Sequence, residues 1–418
     1  MPDPAHRSLR VLMVSWEFPP AVIGGLGRHV QGLSAALVGA GHRVTVLTRE
    51  VPGAPHGEDA GGVRVLRSVP MADTSAAGLS AWTVGLSRAA THRAMQAIHD
   101  DGYDVVHAHD WILGNTAVAL SRRLRAPLVS TVHATEAGRH QRPLPPQVDA
   151  TVHGVEWRLG HEARRVVVCS RYMRGQVIDL LGLSPGRVDV VPDGVDPERW
   201  EVSAVETAAA RLRYAGVGPL LVYAGRLVHE KGVHDLLDAL PRLRQRNPGL
   251  RAVIAGDGPC RAQLRRQARL LRLERAVSFT GFLEHNRLAP LVAAADVLVV
   301  PSGYEPSGMI ALEGAAAGTP LAVSATGGLT EIVQPGLNGV TFSPADPDGL
   351  AEAVDHLLAE PALARRLAGR ARTQVTSDYT WTAAAARTAR VYGAAIDDGT
   401  PGLATPPLPR DAGHLAML

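Results

Sequence analysis

Arg10-Val-Leu-Met-Val-Ser15, then Trp16-Glu-Phe-Pro-Pro-Ala-Val-Ile-Gly24-Gly25-Leu-Gly27-Arg28-His29, decides the fold. The first six residues are a continuous apolar run, which reads as a strand buried on both faces. A long glycine-bearing loop follows, and then a helical pattern over His29–Ala40. Strand, glycine loop and helix make the first half of a βα unit in a parallel sheet. Glycines at a helix N-terminus let backbone N–H groups approach an anion, and the helix dipole favours negative charge there. The spacing is Gly-Gly-x-Gly, not Gly-x-Gly-x-x-Gly, which argues against a plain dinucleotide site. Glu50, at the end of the second strand, keeps a ribose-binding acid of a dehydrogenase in view.

The same alternation runs outward along the chain. Arg43–Thr48, Val63–Leu66, Val105–His109, Leu128–His133 and Val166–Ser170 read as further strands, and Leu86–His99 as a helix. The pattern restarts after residue 200 with strands at Leu220–Ala224, Arg251–Ala255, Val277–Thr280, Val297–Pro301 and Pro320–Val323. Helical patterns at Val233–Gln245, Cys260–Leu271, Met309–Ala317 and Leu350–Leu357 separate them. Prolines, a glycine and acidic residues in Val190–Trp200 punctuate the chain between the halves. The expected architecture is α/β: two Rossmann-like parallel-sheet domains facing across a cleft. The first covers 1–195 and the second 200–378. A last helix, about 380–395, is free to pack on either half, and a Pro- and Gly-rich tail over 399–418 reads as disordered.

Composition limits the alternatives. The 418 residues carry 43 Lys+Arg against 40 Asp+Glu, a net charge of +3 with no basic run, which speaks against nucleic acid. Two cysteines, Cys169 and Cys260, make neither a disulfide framework nor a zinc cluster. The apolar run Leu291–Pro301 is far short of the ~20 residues of a membrane span. Val11–Trp16 is too short for a secretory signal. The expected location is the cytoplasm. Lys231 is the only lysine beside 42 arginines.

In such sheets ligands bind at the carboxyl ends of strands. Three segments there carry chemistry. Gly225-Arg226-Leu-Val-His-Glu230-Lys231-Gly232 can aim an arginine fork and a compact ammonium at one diphosphate. The lone lysine suggests that a flat guanidinium does not fit its position. Pro301-Ser-Gly303-Tyr-Glu305-Pro-Ser-Gly308-Met309-Ile-Ala-Leu-Glu313 places two carboxylates eight residues apart, with helix N-terminal amides between them at Gly308 and Met309. Carboxylates suit paired hydroxyls, as in a hexose and a ribose. In the first half, His107-Ala-His109-Asp110 and His133-Ala-Thr-Glu136 end neighbouring strands. His109 suits a sugar hydroxyl or phosphate, His107 reads as packed inside, and His133 converges on the same edge. His107 and His109 have no third ligand at matching spacing, so no metal is assigned. Asp346-Pro-Asp348 reads as a helix cap, and the Thr326–Glu331 glycine turn as structural.

Together these motifs resemble the retaining glycosyltransferases of GT-B fold, the glycogen-synthase and sucrose-synthase-like group, over roughly residues 10–395. The wording around Gly24–His29, His107–Trp111 and Thr131–His140 is similar to actinobacterial α-1,4-glucosyltransferases of the glycogen and methylglucose-lipopolysaccharide type. The resemblance implies that Gly25 lies beside the donor diphosphate, which Arg226 and Lys231 hold. It implies that Glu305 bonds the donor hexose, assisted by the amides of Gly308 and Met309, and that Glu313 takes the ribose. His109 would contact the hexose near the reacting carbon. Phe282, within Gly281–Leu283, would meet the base through backbone, and His133 and Glu136 would lie on the acceptor side. Ser307 departs from the phenylalanine usual in relatives. The implied reaction moves glucose from UDP- or ADP-glucose to an α-1,4-glucan or related oligosaccharide. No cofactor is required, Mg²⁺ being permitted but not needed. The rival expectations are a lipid-linked mannosyltransferase at the cytoplasmic membrane face, for which Arg139–Arg142 and Arg158–Arg165 would offer a basic surface, and a GT-B-fold nucleotide-sugar epimerase.

Overall fold

The computed structural model describes residues 7–22, 24–69, 78–98, 102–140 and 146–398. The expected tail over 399–418, and Gln141 and Arg142 of the basic stretch, lie outside them. The chain forms two compact units, Met1–Pro192 with Trp381–Leu418, and Asp193–Thr380.

The first unit is built on an eight-stranded sheet. Its elements are β1 (Arg10–Ser15), α1 (Gly25–Gly39), β2 (Arg43–Arg49), β3 (Gly57–Ala60), β4 (Val63–Val69), α2 (Gly78–Ala97), β5 (Val105–His109), α3 (Gly114–Leu124), β6 (Leu128–Val132), α4 (Glu136–His140), α5 (Pro146–Glu162), β7 (Arg165–Val168), α6 (Arg171–Leu181) and β8 (Val188–Val190). The strand order is β3-β4-β2-β1-β5-β6-β7-β8. Every pairing is parallel except β3 with β4. Val11, Leu12, Met13 and Val14 are all fully buried, so both faces of β1 are covered, as its unbroken apolar run requires.

The second unit holds a six-stranded, all-parallel sheet in the order β11-β10-β9-β12-β13-β14. Its elements are α7 (Ala204–Tyr214), β9 (Leu220–Ala224), α8 (Val233–Arg246), β10 (Arg251–Ala255), α9 (Arg261–Leu270), β11 (Val277–Gly281), α10 (His285–Ala293), β12 (Val297–Val300), α11 (Met309–Ala316), β13 (Leu321–Ser324), α12 (Leu329–Ile332), β14 (Val340–Phe342), α13 (Pro347–Ala359) and α14 (Pro361–Asp378). Successive β9 residues feed opposite cores: Leu220, Val222 and Ala224 pack with α10 and α11, while Leu221 and Tyr223 pack with α8 and α13. Asp346 caps α13, its Oδ1 accepting from the Gly349 amide at 2.9 Å.

The last helix, α15 (Trp381–Asp397), belongs to the first unit. It buries Ala384, Ala385, Val391, Tyr392 and Ala395 in the core that α1 shares with β1. A Cβ on Gly32 of α1 would lie 2.2 Å from the Trp381 ring, so only glycine lets the two helices meet there.

Three strands exceed the sequence reading. β3 is Gly-Glu-Asp-Ala, an exposed antiparallel edge without an apolar run, and β8 and β14 have three residues each. Elsewhere the reading ran long: His133 and Ser170 fall just past their strands, and Ser170 instead caps α6, accepting from Met173 N. Among the described residues no helix is long and apolar enough to cross a membrane.

Candidate functional site

In the second unit the loops after β9 and β12 are joined by backbone. The Glu230 carbonyl accepts from Gly303 N at 2.9 Å and from Tyr304 N at 3.3 Å. Gly232, at φ +65°, packs so tightly that a Cβ would lie 1.9 Å from the Pro301 carbonyl oxygen. This join carries Lys231 to Glu305: Nζ donates to Oε2 at 2.6 Å, with side-chain exposures of 18% and 10%. Ser302 Oγ donates to the same oxygen at 3.0 Å. A compact ammonium beside a carboxylate, both largely buried, is a pair able to offer a charged donor and a charged acceptor side by side.

Arg226 lies at the same strand end. Its carbonyl accepts from Tyr223 Oη at 2.8 Å, and its guanidinium lies 3.7 Å from Glu230. Burial drives the Tyr223 phenol far up from its ordinary value, so it stays a neutral donor to that carbonyl. Gly308 precedes α11 with φ +83°, and Met309 opens the helix, leaving the early amides of α11 without helical acceptors. Glu313, buried, lies one turn along. The turn at Thr326–Glu331 clasps this loop, with Gly328 N donating to the Glu305 carbonyl at 2.8 Å. Ser307 Oγ donates to the Asp193 carboxylate, a partner the sequence did not reveal. Phe282 follows Gly281 at the end of β11, with its ring half exposed.

In the first unit the strand ends gather histidines. His109 Nδ1 lies 3.2 Å from His133 Nε2, with the rings stacked. His107 is packed inside, bonded to Tyr392 Oη at 2.8 Å and Thr131 Oγ1 at 2.7 Å. Burial, then the imidazoles of His107, His29 and His133, hold His109 well below its ordinary pKa, so its ring is neutral at pH 7. Gly25 opens α1, and the preceding Gly24 amide donates to the Glu17 carboxylate at 3.1 Å. The long loop ahead of it is pinned by fully buried Arg67, which donates to the Pro19 carbonyl at 2.7 Å and to Glu58 at 2.6 Å. Glu50 is paired with Arg93.

Asp110 and Arg139 were quoted from the sequence without a role in the site, and Glu156 was not singled out. Asp110, at φ +57°, accepts from His133 N at 2.8 Å and pairs with Arg139 at 3.2 Å. Burial outweighs that arginine and raises the Asp110 carboxyl above its ordinary range. Glu156 of α5 accepts from the Glu136 amide at 3.0 Å, and burial pushes its carboxyl from 4.5 to about 8. Its folded form therefore holds a proton that the unfolded form loses, and stability falls as pH rises from about 4.5 to about 8. Glu156→Gln keeps the acceptor and removes that loss. Thermal melts will show the variant's gain over the parent larger at pH 8 than at pH 5, by on the order of 2 kcal/mol; an equal gain at both values refutes a buried protonated carboxyl.

Residues 23–199 match the Glycosyltransferase Family 4 model, and residues 207–374 match the model for Glycosyl transferases group 1. The chain is 44% identical to a glycogen synthase of Mycobacterium tuberculosis H37Rv over 93% of its length and 95% of the relative's. It is 33% identical to the D-inositol 3-phosphate glycosyltransferase of Frankia alni, over 89% of this chain and 95% of that one. A solved sucrose-phosphate synthase of Thermosynechococcus elongatus superposes with a TM-score of 0.81 at 26% identity, covering 94% of this chain and all of that one. The strand-end loops and helix N-termini described above thus sit in a scaffold shared along the whole of these relatives, and the chain belongs to the glycosyltransferases of group 1, enzymes of GT-B fold.

Proposed function

We propose that the protein is a retaining glucosyltransferase, moving glucose from UDP- or ADP-glucose to an α-1,4-glucan or a related oligosaccharide. The observation that carries this reading is the Lys231–Glu305 contact at 2.6 Å beside the opening of α11. In the proposed roles Arg226 and Lys231 hold the donor diphosphate, with Gly25 contributing backbone beside it. Glu305 and the amides of Gly308 and Met309 hold the hexose, and Glu313 the ribose. The backbone around Phe282 meets the base. His109 contacts the hexose, and His133 and Glu136 serve the acceptor. The high identity to a glycogen synthase supports glucose and a glucan.

The chemistry follows from charge. As the anomeric bond breaks, the sugar becomes oxocarbenium-like and negative charge grows on the leaving phosphate. Arg226 and Lys231 stabilise that charge more than they stabilise the ground state, which is what accelerates the step. Front-face substitution fits the residues: the leaving phosphate oxygen takes the acceptor hydroxyl's proton as the new bond forms on the same face. Neutral His109 offers a hydrogen bond without adding positive charge beside the cationic sugar. Because two side-chain cations serve the diphosphate, a divalent cation is not required.

The test is a panel of UDP-, ADP- and GDP-sugars against maltooligosaccharides, reading released nucleotide and the new linkage with and without EDTA. Expected is α-1,4 extension from UDP- or ADP-glucose, undiminished by EDTA. Transfer from a GDP-sugar to a lipid acceptor, or interconversion of sugar nucleotides without any acceptor, overturns the reading. Activity lost in EDTA and restored by Mg²⁺ overturns its metal-independent part.

A further inference from the structure

Three imidazoles from three elements converge in the first unit. His29 is the fifth residue of α1, His109 ends β5, and His133 follows β6. One ring nitrogen of each lies within 4.8 Å of the others. His109 Nδ1 and His133 Nε2 are 3.2 Å apart, and the His29 ring centroid lies 4.5 Å from that of His133 and 5.4 Å from that of His109. Two imidazole nitrogens sharing a tetrahedral Zn²⁺ stand about 3.3 Å apart, given bonds of about 2.0–2.1 Å. The His109–His133 pair already has that spacing, and the third nitrogen, of His29, stands within 4.8 Å of both. His109 Nε2 is buried and has no hydrogen-bond partner among the described residues, so that nitrogen does not hold the ring to one tautomer. Around the rings the scaffold is set: Trp381 packs edge-on against His29, and Asp110 accepts from the His133 amide, fixing the backbone that carries that ring.

We propose that His29, His109 and His133 form a binding site for one Zn²⁺ ion, and that the bound ion inhibits sugar transfer. Three imidazole nitrogen donors are a zinc-type set, unlike the oxygen cages that Mg²⁺ and Ca²⁺ take. Inhibition rests on the proposed role of His109: an ion held on its Nδ1 places positive charge beside the hexose, which itself turns cationic as the anomeric bond breaks. The ion is therefore a regulator or a poison of the enzyme, not its cofactor.

The experiment separates the two halves. The full-length protein, stripped with chelator, is titrated with Zn²⁺ against a chromophoric competitor, and in parallel with Co²⁺, whose visible bands report four-coordinate geometry. Expected is one ion per chain at micromolar affinity or tighter. His29→Asn and His133→Asn should each weaken binding on the order of 100-fold, with circular dichroism confirming that they fold. Lys231→Ala, in the other unit, should bind the ion as the parent does. Absent stoichiometric binding, or affinity unchanged in both histidine variants, overturns the site whatever the enzyme's substrate proves to be. Inhibition is read on the glucosyl-transfer assay: Zn²⁺ over the binding range should abolish turnover, and EDTA should restore it. Full turnover by zinc-loaded protein overturns the inhibitory half while leaving the metal site standing.

Discussion

Lys231→Ala lowers kcat and kcat/KM for the nucleotide-sugar donor together, by about 10²–10³-fold. In the proposed role the ammonium meets a diphosphate whose negative charge grows as the anomeric bond breaks, so its loss falls on the transition state beyond any effect on donor binding. Lys231→Arg restores the charge but not the rate. The Lys231 side chain is 18% exposed and sets Nζ 2.6 Å from Glu305, a point contact that a planar five-donor fork does not reproduce. The alanine variant also leaves Glu305 without its cation, though Ser302 still donates to it. The thermal midpoint will drop, while the circular dichroism spectrum at 25 °C keeps its native form. Turnover within a few-fold of the parent removes Lys231 from the donor's leaving group.

Glu305→Gln separates the hexose from the phosphates. The amide matches the carboxylate in shape and still accepts from Ser302, but it neither neutralises Lys231 nor holds a sugar hydroxyl as strongly. Turnover should fall on the order of 10²-fold. Affinity for the free nucleoside diphosphate should stay level or rise, because Lys231 is released from its partner. Lys231→Ala should weaken that same affinity. If both variants weaken nucleoside diphosphate binding equally, the carboxylate is bracing the lysine and is not held for the sugar.

The segments that carry this chemistry were legible because each is short and local. Gly225–Gly232 keeps two cations and a carboxylate between two glycines, Pro301–Glu313 keeps two carboxylates and two glycines within about a dozen residues, and apolar strands buried on both faces announced where each loop begins. That the two loops share the Glu230 carbonyl was not legible, since the contact spans about seventy residues and is made by backbone. The edge strand β3 escaped because it pairs on one side only and buries little. Arg67 and Glu156 escaped for a related reason: a charged residue in a sequence reads as surface, and only the packed fold reveals it desolvated. His29 was quoted within the glycine loop but given no partner. Its neighbours His109 and His133 lie 80 and 104 residues away, and only the strand order β1-β5-β6 brings their ends together.

The seating of α15 on α1 has a consequence for how the protein is made. The first unit begins at the N-terminus, yet the helix that closes its core emerges from the ribosome only after the entire second unit has been translated. Until then the glycine notch at Gly32 lacks the Trp381 ring that fills it, and the second unit is free to reach its native state first. The first unit thus lacks one of its own core helices until the second has been made, and a stop codon near residue 380 would remove core from the unit whose strands were made first.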